Sequence, residues 1–192
     1  MVSVLLTGRL VFRTALKILL SEAELRSGVE RLAGDVARHY GDEPLTIIGV
    51  LTGSVVLLAD LIRLLRMPLR VGVVQCRSYR GKATTPGALT VSADLLPDVR
   101  GHRVLLVDDI FDTGQTLEQL LVQFDELAPR TLQTAVLLRK SGRQRVAVQP
   151  DYVGFDIPDE FVVGYGLDYQ DAFRNLPYVA ALEAHELEGP AR

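Results

Sequence analysis

The 192-residue chain has no tryptophan, one cysteine, two methionines and three histidines, and only 6% of it is aromatic. Each scarcity excludes something. A lone Cys76 can close no intrachain disulfide and cannot supply a cysteine-based zinc site. His39, His102 and His185 show no ligand spacing and read as surface or packing residues. Charge of one sign is also missing: 21 Lys and Arg stand against 24 Asp and Glu, a net charge of −3. That balance argues against bulk attraction to nucleic acid or to an anionic membrane. No apolar run reaches the roughly 18–20 residues of a membrane span. The longest uncharged stretch, 44–59, is broken in its middle by Thr52-Gly53-Ser54. Near the N-terminus, Arg9, Arg13 and Lys17 interrupt the apolar part, so no unbroken signal-peptide core exists and a cytoplasmic location is expected.

What is present is globular: 48% hydrophobic and 23% charged residues, too apolar for a disordered chain. A chain of this length buries roughly 70% of its unfolded surface. No repeat, low-complexity tract or linker appears, so residues 1–192 read as one domain. Its core is expected over about 40–145, with a small hood from about 1–20 and 150–182.

Ser21-Glu22-Ala23-Glu24 has capping-box spacing, and Leu25, Val29, Leu32, Val36 and Tyr40 follow at helical intervals up to Gly41. Residues 45–51 read as a strand buried on both faces. Residues 54–65 read as the next helix, with Val55, Leu58, Leu61, Ile62 and Leu65 inward. Strands are expected over 71–78, 88–93, 103–107 and 131–138, with a helix over about 116–127. This alternation predicts an α/β fold around a mostly parallel sheet flanked by helices. Ligands in such sheets bind where strand ends lead into helices. After Pro150 the pattern shifts to short strands, 151–155 and 160–163, and a polar-aromatic tail, read as the hood.

The decisive segment is Val104-Leu105-Leu106-Val107-Asp108-Asp109-Ile110-Phe111-Asp112-Thr113-Gly114-Gln115-Thr116. A buried strand ends in three acids, then Thr-Gly-x-Thr opens a helix. Residues 112–116 can wrap backbone N–H groups and two hydroxyls around a phosphate at the positive helix end. Asp108 and Asp109 suit sugar hydroxyls or a hydrated Mg²⁺ beside it. The plainer reading is an ordinary acidic strand-to-helix turn. No Gly-x-Gly-x-x-Gly and no Gly-Lys-Ser/Thr is present, which excludes the common dinucleotide and P-loop motifs.

This segment resembles the phosphoribosyl pyrophosphate (PRPP) signature of type I phosphoribosyltransferases. With Gly49-Val50-Leu51-Thr52-Gly53-Ser54, Ser78-Tyr79 and the run from Asp151-Tyr152-Val153-Gly154-Phe155 to Leu176-Pro177-Tyr178, the chain resembles the hypoxanthine-guanine phosphoribosyltransferases over about 17–182. The resemblance implies the type I phosphoribosyltransferase fold. It also implies Mg²⁺-dependent transfer of ribose 5-phosphate from PRPP to a 6-oxopurine in purine salvage, in a homodimer or homotetramer with no nucleic-acid or membrane partner.

By the same resemblance, Asp112 is the general base or acid for the purine N7 proton. PRPP and its phosphates fall to Asp108, Asp109, Thr113, Gly114, Gln115, Thr116, Thr52, Gly53 and Arg174. The purine falls to Lys140, Phe161, Val162 and Asp168, and the metal to Asp108, Asp109 and Asp168. Ser78 and Tyr79 open a polar loop, 78–87, read as a lid that excludes water. Each residue has a plainer role: a helix cap for Asp112, a solvated strand end for Lys140, core packing for Phe161, a surface ion pair for Arg174.

The chain departs from the family pattern at Asp108, where Glu is frequent, and at Thr52 and Gln115, where Lys is. Cys76, inside a strand, reads as a small core residue rather than a nucleophile, and Arg139, Lys140, Arg143 and Arg145 as a solvated basic cluster. Two alternatives remain: a nucleic-acid-binding regulator on the same fold, and a transferase preferring xanthine. Regulators that resemble this motif lack the acid at Asp112.

Overall fold

The computed structural model describes residues 16–78, 89–92 and 95–187, with the main chain alone for 77–78 and 89–92. Segment 1–15 and the lid residues from Tyr79 to Gly87 lie outside the described residues.

Strand β1 (Lys17–Leu20) leads into helix α1 (Glu22–Tyr40). The Ser21 side chain and the Glu24 carboxylate cap each other's backbone N–H groups, and Gly41 ends the helix with a positive φ. Leu25, Val29, Leu32, Val36 and Tyr40 are all buried, each large apolar side chain contributing roughly 1.5–3 kcal/mol. Then follow β2 (Leu45–Leu51), α2 (Val55–Leu64), β3 (Leu69–Ser78), β4 (Leu89–Ser92), β5 (Arg103–Phe111), α3 (Gln115–Asp125) and β6 (Thr131–Lys140). The chain ends in β7 (Tyr152–Ile157), β8 (Phe161–Val163), β9 (Val179–Leu182) and the short α4 (Ala184–Leu187).

The main sheet has the order β4-β3-β2-β5-β6-β7. Its neighbours from β3 to β7 pair in parallel, and β4 joins antiparallel at one edge. Side chains alternate across the strands. Leu45 and Ile47 of β2 with Leu105 and Val107 of β5 face α1 and α2. Ile48, Val50, Val104 and Leu106 face the other way, onto Leu120 and Phe124 of α3. Buried on both faces, these strands read as continuous apolar runs.

The expectations for Val55 and for the hood need correction. Val55 is 43% exposed, because the buried stripe of α2 runs through Leu57, Leu58 and Leu61 and leaves Val55 roughly 100° away. Segment 152–157, read as hood, is instead the edge strand of the main sheet, in register from Ala135↔Tyr152 to Lys140↔Ile157. Its Gly154 allows backbone approach to Leu137, and Phe155 packs over Gly28 of α1.

The hood proper is a second sheet, β1-β9-β8, antiparallel throughout. Lys17 of β1 pairs with Glu160 at 2.9 Å, fixing the N-terminal strand to the turn before Phe161. In the main sheet, β2 proceeds through α2 to β3 on one side, and β5 proceeds through α3 to β6 on the other. The direction in which successive strands are added therefore reverses between the parallel β2 and β5, and a crevice opens at their carboxyl ends.

Candidate active site

That crevice is a cleft of about 440 Å³. Its walls are the loop after β2 (Thr52, Gly53), the end of β5 with the following turn (Asp108, Asp109, Asp112, Thr113, Gly114, Thr116), and Asp168 and Arg174 from the hood side. Of the residues singled out from sequence, these ten converge on one cavity. Gln115, Lys140, Phe161 and Val162 do not line it. Ser78 ends β3, and Tyr79 lies outside the described residues.

Two glycines show why the loops have their composition. The Leu51–Thr52 peptide is cis, and the next residue, Gly53, lies so close to Asp109 that a Cβ there would overlap the carboxylate. Gly114 precedes the first turn of α3 with φ +84° and ψ −6°, a left-handed conformation that side chains resist. A Cβ there would also strike the ring of Phe111 and a methyl of Val146. Thr113, Gly114 and Thr116, at the start of an 11-residue helix that no side chain caps, line the cleft, an anion-binding arrangement.

Asp108 and Asp109 lie side by side in the cleft wall, and the Arg174 charge acts on Asp109. The Asp109 N–H donates to Asp108 Oδ1 at 3.0 Å. Burial pushes both carboxyls above the ordinary carboxylate range, and the neighbouring Asp109 pushes Asp108 further. At Asp109, hydrogen bonds and the Arg174 charge oppose the rise. A site that raises two carboxyls in this way calls for positive charge.

Asp168 is already engaged: Arg174 Nη2 lies 2.8 Å from its Oδ1, and the Asp171 N–H donates to its Oδ2 at 2.9 Å. Arg174 Nη1 donates to the Gly166 carbonyl at 2.7 Å. Among the described residues, no three acidic, histidine or cysteine side chains converge as a ready metal cage. Cys76 also lines the cleft. Burial, aided by Asp108, pushes its thiol up to about 12, so it is no thiolate nucleophile near neutrality.

Beside the cleft lies a second group of charges. Lys140, at the end of β6 and almost fully buried, places Nζ 3.6 Å from Asp112 Oδ2 and 3.5 Å from Asp159 Oδ1. Arg143 Nε donates to Asp112 Oδ1 at 2.9 Å, and its Nη1 donates to Asp159 Oδ2 at 3.3 Å. The basic cluster expected to be solvated is therefore largely paired, since Arg139 also holds Asp156 through two hydrogen bonds. The pairs with Asp112 and Asp159 leave no signal in sequence because those acids lie 31 and 16 positions from Arg143. Phe161 is 41% exposed on β8, with Tyr169 edge-on at 5.4 Å, so it is not core packing. Val162 is buried and pairs with Ala181 of β9.

A model of the phosphoribosyl transferase domain matches residues 16–170, which sets the class. The hypoxanthine-guanine phosphoribosyltransferase of Aquifex aeolicus is 39% identical over 169 residues, covering 88% of this chain and 95% of that protein. That of Streptococcus pneumoniae strain R6 is 35% identical over 167 residues, covering 87% and 93%. A crystal structure of the Bacillus anthracis hypoxanthine-guanine phosphoribosyltransferase superposes with a TM-score of 0.83 at 37% identity, covering 88% of this chain and all of that one. The chain belongs to the hypoxanthine-guanine phosphoribosyltransferase family.

Proposed function

We propose that this enzyme transfers the 5-phosphoribosyl group of PRPP to hypoxanthine or guanine, giving the nucleotide and pyrophosphate in purine salvage. The observation that carries this reading is one cleft lined together by the start of α3, the adjacent carboxyls of Asp108 and Asp109, and Arg174. Such a set matches a substrate with a phosphate, two ribose hydroxyls and a pyrophosphate.

In this reading Thr113, Gly114, Gln115 and Thr116 take the 5′-phosphate through backbone N–H groups and hydroxyls. Asp108 and Asp109 accept from the ribose hydroxyls. Thr52 and Gly53 offer main-chain donors to the pyrophosphate, with the Arg174 fork adding charge. Mg²⁺ bound with PRPP supplies positive charge against the departing pyrophosphate. Asp108, Asp109 and Asp168 would hold it. Their fit rests on the raised carboxyls, and on Mg²⁺ needing only one or two carboxylates when it keeps waters and phosphate oxygens.

The purine lies against Phe161, its carbonyl O6 accepting from Lys140 and its far edge meeting the Val162 main chain. An ammonium has donors only, so Lys140 favours a keto oxygen over an amino group. Asp112 takes the N7 proton as the glycosidic bond forms. The anomeric carbon passes through a cationic state, so a closed, water-free site protects it; the Ser78–Tyr79 loop is the proposed lid. The enzyme works in the cytoplasm as a homodimer or homotetramer, as its relationship to the family suggests.

A crystal of the enzyme soaked with GMP tests this. The phosphate should lie on the main-chain N–H groups of 113–116 and the base on Phe161, with O6 toward Lys140. A nucleotide bound elsewhere, with the 112–116 turn empty, overturns the proposal.

A further inference from the structure

The loop after β6 touches the turn before α3 in three independent ways. The Arg145 N–H donates to the Thr113 carbonyl at 2.9 Å. Val146 packs under Gly114 at a distance that admits no Cβ. Arg143 reaches across the end of the sheet to Asp112 Oδ1 at 2.9 Å and, from the other side of its guanidinium, to Asp159 Oδ2 at 3.3 Å. Both acids are also within 3.6 Å of the Lys140 ammonium. Asp159 sits two residues before Phe161, and the adjoining Glu160 is held by Lys17. One guanidinium thus ties the acid proposed to move the N7 proton to the turn that carries the proposed stacking ring.

We propose that Arg143 is a positioning residue for Asp112. Resting on the function proposed above, its logic is a change of partners. While the purine is absent, Asp112 is shared between Lys140 and Arg143. When Lys140 turns its donors to O6, Asp112 keeps one cation, and the planar Arg143 fork holds its side chain in place from outside the cleft. Asp159 fixes the far end of that fork, so the orientation of Asp112 and the position of Phe161 are set by one linkage. A lysine in place of Arg143 would bring one ammonium rather than a planar fork whose Nε and Nη1 donate separately to the two acids. Arg143 touches neither the cleft nor the reacting atoms, and its effect passes through Asp112.

The test is a double-mutant cycle on the full-length protein, read as the single-turnover rate of nucleotide formation with enzyme in excess. General acid–base contributions are about 10²–10⁴-fold, so the residual rate of Asp112→Asn remains readable in that format. Arg143→Gln should lower the rate about 10- to 100-fold, the scale of a misplaced catalytic group, while the KM for PRPP stays within about twofold. Arg143→Lys should recover only part of the loss. In the Asp112→Asn background, Arg143→Gln should add less than about twofold, since groups acting as a unit are not additive. Asp159→Asn gives a second route should Arg143→Gln fold poorly, with a smaller loss that also vanishes in the Asp112→Asn background. An unchanged rate in Arg143→Gln, full recovery by Arg143→Lys, or losses that multiply in the double variant overturns the positioning role. Wild-type activity in Asp112→Asn would instead overturn the function on which it rests.

Discussion

Lys140 bears the sharpest consequence at the scale of single residues. Its ammonium is nearly buried between two carboxylates, a place where an unpaired cation would be costly and where a ligand carbonyl can take over as partner. Replacing it with glutamine keeps a donor but adds an acceptor and loses the charge. In Lys140→Gln, kcat/KM for hypoxanthine should fall roughly 10- to 100-fold, the cost of leaving a specific polar contact unmade. The ratio of adenine to hypoxanthine use should rise, because a carboxamide can accept from an amino group. Steady-state assays with both bases check this; an unchanged ratio would place O6 recognition elsewhere. In sequence, the acid-rich turn marks Asp112, but its role and that of Lys140 come only through the family pattern. Arg143 could not be singled out, because its partners lie far off in the chain and a charge run ordinarily marks a solvated face.

Gly114 is decided by the element it starts. Helix α3 begins on a left-handed residue so that the turn can bring Thr113 and Thr116 to the same cavity while Val146 closes it from below. In Gly114→Ala the left-handed conformation costs about 1–2 kcal/mol, and the overlap with Phe111 and Val146 adds to it. The urea midpoint should fall by an amount equivalent to at least about 2 kcal/mol, and affinity for PRPP should drop with it. A variant with unaltered stability would mean that the turn needs no glycine.

Element-level legibility was uneven for physical reasons. The capping box at Ser21 and the periodicity of α1 are local signals, and the helix follows them closely. Strand β7 looks like part of the hood in sequence because it is short and half-exposed, and because its pairing partner β6 is set by tertiary contact rather than by any local pattern. Strand β9, only four residues long, leaves no pattern in the sequence. The end of β5 was placed at Val107, yet the strand runs on to Phe111. The adjacent acids Asp108 and Asp109 look like loop in sequence, while the backbone on to Phe111 still pairs with β6.

The whole molecule accommodates a cleft that works against its own stability. Asp108 and Asp109 are adjacent acids in a low-dielectric crevice, and burial raises both. A raised carboxyl holds its proton in the folded state after the unfolded chain has released it. The stability this group contributes is therefore whole below about pH 4, near the free carboxylate value, and is lost as pH rises toward its folded value. Asp108→Asn removes the group, so the variant should be more stable than the parent at pH 7, by a few degrees in Tm, with the difference shrinking toward pH 4. It should at the same time lose PRPP binding, the exchange expected of a site built for function. Thermal melts from pH 4 to 8 decide the matter; a variant less stable at pH 7, or a gap that widens toward pH 4, would contradict it.

The most direct measurement is nucleotide formation from PRPP and hypoxanthine or guanine in the presence of Mg²⁺, followed for the parent chain and for Asp112→Asn. The parent should produce IMP and GMP with equimolar pyrophosphate, adenine should be a poor acceptor, and Asp112→Asn should be slower by about 10²–10⁴-fold. A parent chain that forms no nucleotide, or an Asp112→Asn variant as fast as its parent, would contradict the reading of this cleft.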